Sequence, residues 1–333
     1  MTDQANERTR REFLKTAAVV SSATVIGSSA SPILGAEKTK ASPAAAKPAD
    51  TMLKRVLGKT GMKVSVLSFG GGSQFLKNKD GDWEPLLQRA IDLGINYFDT
   101  HQNYKTEERF GQLLPKYRKQ VYIVTKFDPR DEAGAMKSFE GSLKRLKVDY
   151  VDALLLHALN KKDDLAAFEK TTWKRLQKLK SEGTVKFIGF SSMNSATASK
   201  NFIEQLNPDI ALIAMNATRY AGFAKLALKP ALKNNVGVIA MKTVRGLIGK
   251  KGATPKKLLQ YVLDQEGVAS AVVGHYGMKV LEENVRLVKE IIASKKMSPV
   301  AKKRLETAVA PLAGPHALPW ARADYVDDGI SYA

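Results

Sequence analysis

The 333-residue sequence contains no cysteine. Disulfides, thiolate metal sites, iron–sulfur clusters and cysteine nucleophiles are therefore outside its chemistry. Histidine is scarce as well. The four residues, His101, His157, His275 and His316, show no HxH or HExxH spacing, so no metal site is expected. No apolar run reaches the ~18 residues of a membrane span without polar interruption, so the mature chain is expected to have no stable span. A G-x-G-x-x-G turn after the first strand-like segment is missing, which weighs against a doubly wound dinucleotide-binding sheet. Acidic residues are in deficit: 33 Asp+Glu stand against 53 Lys+Arg, a net charge of +20. The lysines are scattered as short pairs such as Lys161-Lys162, Lys250-Lys251 and Lys302-Lys303, without interleaved aromatics. That pattern describes a basic surface and no nucleic-acid groove. An anionic polymer or phosphorylated ligand is the alternative partner class.

The N-terminus reads Thr9-Arg10-Arg11-Glu12-Phe13-Leu14-Lys15, then a modestly apolar stretch and small residues up to Ala36. This is the pattern of a twin-arginine export signal over residues 1–36, which implies the twin-arginine translocation machinery as a partner and a periplasmic location. Residues 37–50, rich in Ala, Pro and Lys, are expected to form a flexible linker. Residues 1–50 carry seven Lys/Arg and five Asp/Glu, so the remainder keeps +18 and the basic character belongs to the domain. Residues 51–297 are expected to be that domain, and 298–333 a C-terminal tail.

From residue 53 onward, short apolar runs alternate with helical patterns: Val64–Phe69, Ile95–Phe98, Val121–Thr125, Val151–Leu156, Val185–Phe190, Ile210–Met215, Val236–Met241 and Ala269–Val273. Runs of Val, Ile, Leu and Phe suit strands buried on both faces. Between them, sets such as Leu165/Phe168/Leu176/Leu179 and Leu281/Val285/Val288/Ile292 have helical spacing. Thr254-Pro255 reads as an N-cap followed by Pro at the first helical position. Eight strands with intervening helices predict an α/β fold, a (β/α)8 TIM barrel, with residues 53–65 as an N-terminal β-hairpin. An open doubly wound sheet is the competing arrangement.

In such a barrel the chemistry sits where strands end. Asp99, Lys126, His157, Ser191, Ser192, Asn216 and Lys242 each follow an apolar run. Here a resemblance enters. Asn96-Tyr97-Phe98-Asp99-Thr100-His101-Gln102-Asn103-Tyr104 resembles the N-x-F-D-T-A-x-x-Y motif of aldo-keto reductases. Val124-Thr125-Lys126, Asp149-Tyr150-Val151-Asp152 through His157, Phe187-Ile188-Gly189-Phe190-Ser191 and Leu281-Glu282-Glu283-Asn284 are similar to further family motifs, in order from about residue 54 to 293.

The resemblance implies an oxidoreductase that moves hydride reversibly between a nicotinamide and a small carbonyl or alcohol substrate. Its catalytic tetrad falls on Asp99, Tyr104, Lys126 and His157. A phenol titrates near pKa ~10, and a neighbouring ammonium favours the phenolate. Lys126 would lower Tyr104 in this way, Asp99 would hold Lys126, and His157 would donate to the substrate carbonyl while Tyr104 acts as general acid and base. The cofactor residues implied are Ser191, Asn216, Met241, Lys242, Gly274, Glu283 and Asn284. Met241 stands where many relatives stack an aromatic on the nicotinamide. NADP(H) is the family default and is expected ahead of NAD(H). The turn Gly274–Lys279 lacks the usual arginine, with His275 and Lys279 as substitutes for gripping a 2′-phosphate. Trp83, Tyr220, Trp320 and Tyr325 are candidates for the substrate pocket. A catalytically idle cofactor-binding barrel, serving as sensor or partner protein, is the alternative function.

Overall fold

The computed structural model describes residues 52–328. The export signal and linker expected over residues 1–50 lie outside the described residues. Two antiparallel strands come first, β1 (Lys54–Val56) and β2 (Lys63–Ser65). Eight parallel strands then close into a barrel: β3 (Leu67–Gly70), β4 (Tyr97–Asp99), β5 (Tyr122–Phe127), β6 (Val151–Leu156), β7 (Val185–Ser192), β8 (Ile210–Ala214), β9 (Gly237–Met241) and β10 (Val268–Gly274). Each pairs with its sequence neighbour, and β10 pairs with both β9 and β3. The eight expected runs all lie on these strands, with shifted ends. The first run splits, because Val64 and Ser65 pair with the hairpin while Leu67 begins the barrel.

The hairpin closes the end of the barrel where strands begin. Arg55 donates to the carbonyls of Leu263 and Val268 at 2.9 Å. Asn96, just before β4, accepts from the Ser65 amide at 2.7 Å and donates to the Lys63 carbonyl at 2.8 Å. The first residue of the Asn96–Tyr104 motif therefore has a structural task. Leu57 is fully buried beneath β9, and a Cβ on Gly237 would lie 2.5 Å from its Cγ. Sealing that end removes one large apolar side chain from water, worth about 2–3 kcal/mol.

Helices follow most of the strands, with side-chain caps at several starts. Asp131 accepts from the Gly134 amide, Thr254 from the Lys257 amide ahead of Pro255, and Ser298 from the Ala301 amide. The helical pattern Leu165/Phe168/Leu176/Leu179 is not one uniform α-helix: Glu169–Trp173 is a π-helical turn between Leu165–Phe168 and Lys174–Ser181. Beyond residue 297 the chain forms a further helix, Pro299–Val309, and then buries Leu318 and Trp320 completely. Among the described residues no helix is long and apolar enough to cross a membrane.

Candidate active site

The strand ends place the site. The two-residue strand period puts Tyr97 and Asp99 on one side of β4 and Phe98 on the other, where it packs with Phe69 and Phe110. Lys126, near the end of β5, donates to Asp99 Oδ2 at 2.7 Å and to the Thr100 carbonyl at 2.8 Å. Both side chains of this ion pair are almost fully buried. Thr125, beside Lys126, is held by the buried Glu107, which accepts from its hydroxyl at 2.6 Å and pairs with Arg145 at 2.7 Å. Asp152 of the Asp149–Asp152 motif is structural too: it accepts from Arg118 and from the Ile123 amide.

Tyr104 and His157 converge on one point, and a third residue marks it. Asp327, from the C-terminal segment, accepts through Oδ2 from the Tyr104 hydroxyl at 2.8 Å and lies 3.3 Å from His157 Nε2. Its other oxygen accepts from Lys242 Nζ at 2.7 Å and from the Tyr325 hydroxyl at 2.6 Å. The other ring nitrogen of His157 meets Asp128 Oδ1 at 2.7 Å. Asp128 Oδ2 lies 2.9 Å from His101 Nε2, off the line of a good hydrogen bond, and accepts from Asn103 at 2.8 Å. The rings of His101 and His157 are 4.0 Å apart between centroids. His101, Asp128 and His157 offer metal-ligating atoms close together, but these atoms already meet one another at contact distance.

The electrostatics follow from burial and from these carboxylates. Burial pushes the Tyr104 phenol well above its usual value, and Asp327 and Asp99 add to the shift. The lowering expected from Lys126 is overridden by burial and the two carboxylates: Lys126 Nζ lies 5.0 Å from the ring centroid and also donates to Asp99 and a carbonyl. Burial raises Asp99, with Lys126 opposing, and Asp99 Oδ1 has no partner among the described residues. Burial alone would lower His157, but the hydrogen bonds to Asp128 and Asp327 outweigh it and raise it. Against the cost of burial, Lys242 and His157 hold Asp327 well below the carboxylate range. Burial, reinforced by the His157 charge, lowers His101 to about 3.

A cavity of about 570 Å³ opens beside this point. It runs from Asp99 and Tyr104 past Met241, Lys242 and Gly274 to Glu283 and Asn284. Five of the seven expected cofactor residues thus line one groove, together with Arg245, Lys250 and Thr243, whose buried hydroxyl has no partner among the described residues. An elongated groove with cations along it fits a phosphorylated dinucleotide. Ser191 and Asn216 are not in its lining. The Ser191 hydroxyl accepts from the Ala158 amide at 3.0 Å and so fixes the turn after His157. Asn216 donates to the Lys242 carbonyl at 3.3 Å, steadying a residue held at φ +57°, where non-glycine backbone is strained. His275 does not face a phosphate: it is fully buried, its ring lies 5.1 Å from that of Phe69, and burial lowers it to about 3. Of the four aromatic candidates, Tyr325 lines the groove, while Trp83 and Trp320 are buried in the core.

The barrel, the closed end and the residues at the strand ends agree with the motifs, and sequence comparison extends the agreement. The profile of the Aldo/keto reductase family matches residues 66–258. The chain belongs to the aldo/keto reductase family. It is 30% identical over 283 residues to an L-galactose dehydrogenase from Arabidopsis thaliana, covering 71% of this chain and 88% of the relative. It is 28% identical to an L-glyceraldehyde 3-phosphate reductase from Escherichia coli O157:H7, covering 73% and 89%. A solved structure of a putative aldo-keto reductase from Pseudomonas aeruginosa superposes with a TM-score of 0.63 at 30% identity, covering 73% of this chain and 98% of that one. An oxidoreductase of aldo/keto reductase type is the reading all three support.

His101, Asp128 and Asp327 were not reached by motif reading. His101 carries a signal, since it stands where the family motif has alanine. Asp128 follows Lys126 by two residues and was legible only as a strand-end carboxylate. Asp327 is 223 residues from Tyr104 and has no motif around it.

Proposed function

We propose that this protein is an NAD(P)H-dependent reductase of small carbonyl compounds, running in reverse on the corresponding alcohols. The observation that carries the proposal is the convergence of Tyr104 and His157 on a single oxygen atom, 2.8 and 3.3 Å away. Two donors on one oxygen are what a carbonyl becoming an alkoxide requires. The dinucleotide in the groove of Lys242, Arg245, Glu283 and Asn284 would supply the hydride. Tyr104 holds the proton that the new alkoxide takes, and accepts it in the reverse direction. His157 orients the carbonyl oxygen. Lys126 and Asp99 form a buried pair behind Tyr104, so that a phenolate left after proton transfer faces a fixed ammonium.

The proposed reaction uses no metal and no iron–sulfur cluster. NADP(H) is proposed ahead of NAD(H) on the strength of Lys242, Arg245 and Lys250 in the groove. Titrating both cofactors decides this, since a 2′-phosphate that changes affinity by less than about tenfold (~1.4 kcal/mol) has no pocket. The central test is a panel of aldehydes, ketones and quinones assayed with both cofactors in wild type and Tyr104→Phe. Turnover in the wild type, lost in the variant with cofactor affinity retained, is the expected result. Full activity in Tyr104→Phe sinks the assignment. For residues 1–36 we propose twin-arginine export to the periplasm. Retention of the Arg10→Lys/Arg11→Lys double variant inside the cytoplasmic membrane is expected, and its undiminished export contradicts that.

A further inference from the structure

We propose that Asp128 is a positioning residue for the reaction, acting through His157 and braced by Asn103; this rests on the reductase reading. The geometry joins two side chains from consecutive strand ends, Asp128 after β5 and His157 after β6. Asp128 Oδ1 takes the Nδ1 side of His157 at 2.7 Å, which leaves Nε2 facing the reacting oxygen. A neutral imidazole has one N–H, and donating to both sides takes two. A carboxylate on Nδ1 favours the doubly protonated ring, and that ring is a stronger donor to a developing alkoxide than the neutral one. Asn103 donates to the other oxygen of Asp128 at 2.8 Å and keeps it on station, with the buried His101 alongside. The groups facing His157 are Asp128, His101, Tyr104 and Asp327, with Asp99 and Lys126 behind. With Asp128 beside it raising its titration, His157 keeps its imidazolium toward alkaline pH, so activity in reduction falls as rising pH strips that second proton.

Asp128→Asn keeps size and is partly exposed, so folding is not at stake. Expected are a fall in kcat of about tenfold or more, an alkaline limb of kcat/KM moved to lower pH, and a matching fall in the His157 ring titration by NMR. Cofactor affinity should hold, and Asp128→Glu should restore part of the rate. An unmoved pH limb and His157 titration overturn the proposal. If the wild type is active and Tyr104→Phe is dead while Asp128→Asn is normal, this inference alone fails and the reductase reading stands.

The contacts of Asp327 carry a second inference independently: the segment Tyr325–Asp327 is an internal inhibitor. Its carboxylate oxygen occupies the seat proposed for the substrate's carbonyl oxygen, on the same two donors, Tyr104 and His157. One seat cannot hold both. Its other oxygen is tied to Lys242, a residue of the cofactor groove, so an anion that takes Lys242 removes part of the hold. Asp327→Asn in the full chain tests this. Expected are a KM at least about tenfold lower with kcat within about twofold, and a Tyr104 phenol that titrates at lower pH by absorbance, read against Tyr104→Phe. An unchanged KM overturns the inference, and a higher one overturns it and makes Asp327 a holder of substrate or cofactor. Inactivity of both proteins on every carbonyl counts against the reductase reading instead.

Discussion

Asp99→Ala should cost this protein far more than a surface ion pair would. Lys126 is 1% exposed and its ammonium has two partners, Asp99 Oδ2 at 2.7 Å and the Thr100 carbonyl at 2.8 Å. Removing the carboxylate leaves a buried charge with one neutral acceptor. Breaking such a pair from one side costs about 3–5 kcal/mol. At roughly 2–4 °C per kcal/mol for a domain somewhat smaller than this one, the melting temperature should fall by about 10 °C at neutral pH. Urea unfolding of both proteins at pH 7 measures it. A second variant, Asp99→Leu/Lys126→Met, removes both charges and should recover most of the loss while remaining inactive. If Asp99→Ala melts within about 1 °C of wild type at pH 7, the pair is not the buried, isolated contact described here.

Further outcomes follow from single contacts. Gly189→Ala places a Cβ 2.1 Å from the Ile210 carbonyl oxygen of the neighbouring strand, so β7 and β8 must separate; a loss of at least about 2 kcal/mol, or insoluble protein, is expected in denaturant titration. Thr254→Ala removes the cap on the Lys257 amide and should cost about 1 kcal/mol by the same assay, with kinetics unchanged. Glu107→Ala strips a buried carboxylate from Thr125 and Arg145 and should cost about 2–4 kcal/mol, visible as a lower urea midpoint.

The barrel was legible because its strands are buried on both faces and so are written as unbroken apolar runs, from Val151–Leu156 to Gly237–Met241. The convergence of Asp99, Tyr104, Lys126 and His157 was legible because Asp99 and Tyr104 share one local motif and Lys126 and His157 stand directly at strand ends. What escaped is the part made by distance and by burial. Val64–Phe69 looks like one strand, and only pairing with Lys54–Val56 shows where the hairpin stops. His275, read as a phosphate contact, is a core residue against Phe69, and a histidine's composition neighbourhood does not show which way it points. The net direction of the Tyr104 shift escaped for the same reason, since it comes first from burial and then from Asp327, a carboxylate that only the fold brings near.

The burial of Leu318 and Trp320 gives the tail a fixed anchor, and only the seven residues from Ala321 to Asp327 separate that anchor from the reactive seat. So short a tether makes Asp327 a ligand at an effective concentration on the order of millimolar, unaffected by dilution. In the proposed reductase, a free carbonyl compound competes against that constant presence whatever the protein concentration, and selectivity at this site becomes a matter of exceeding a threshold as much as of shape.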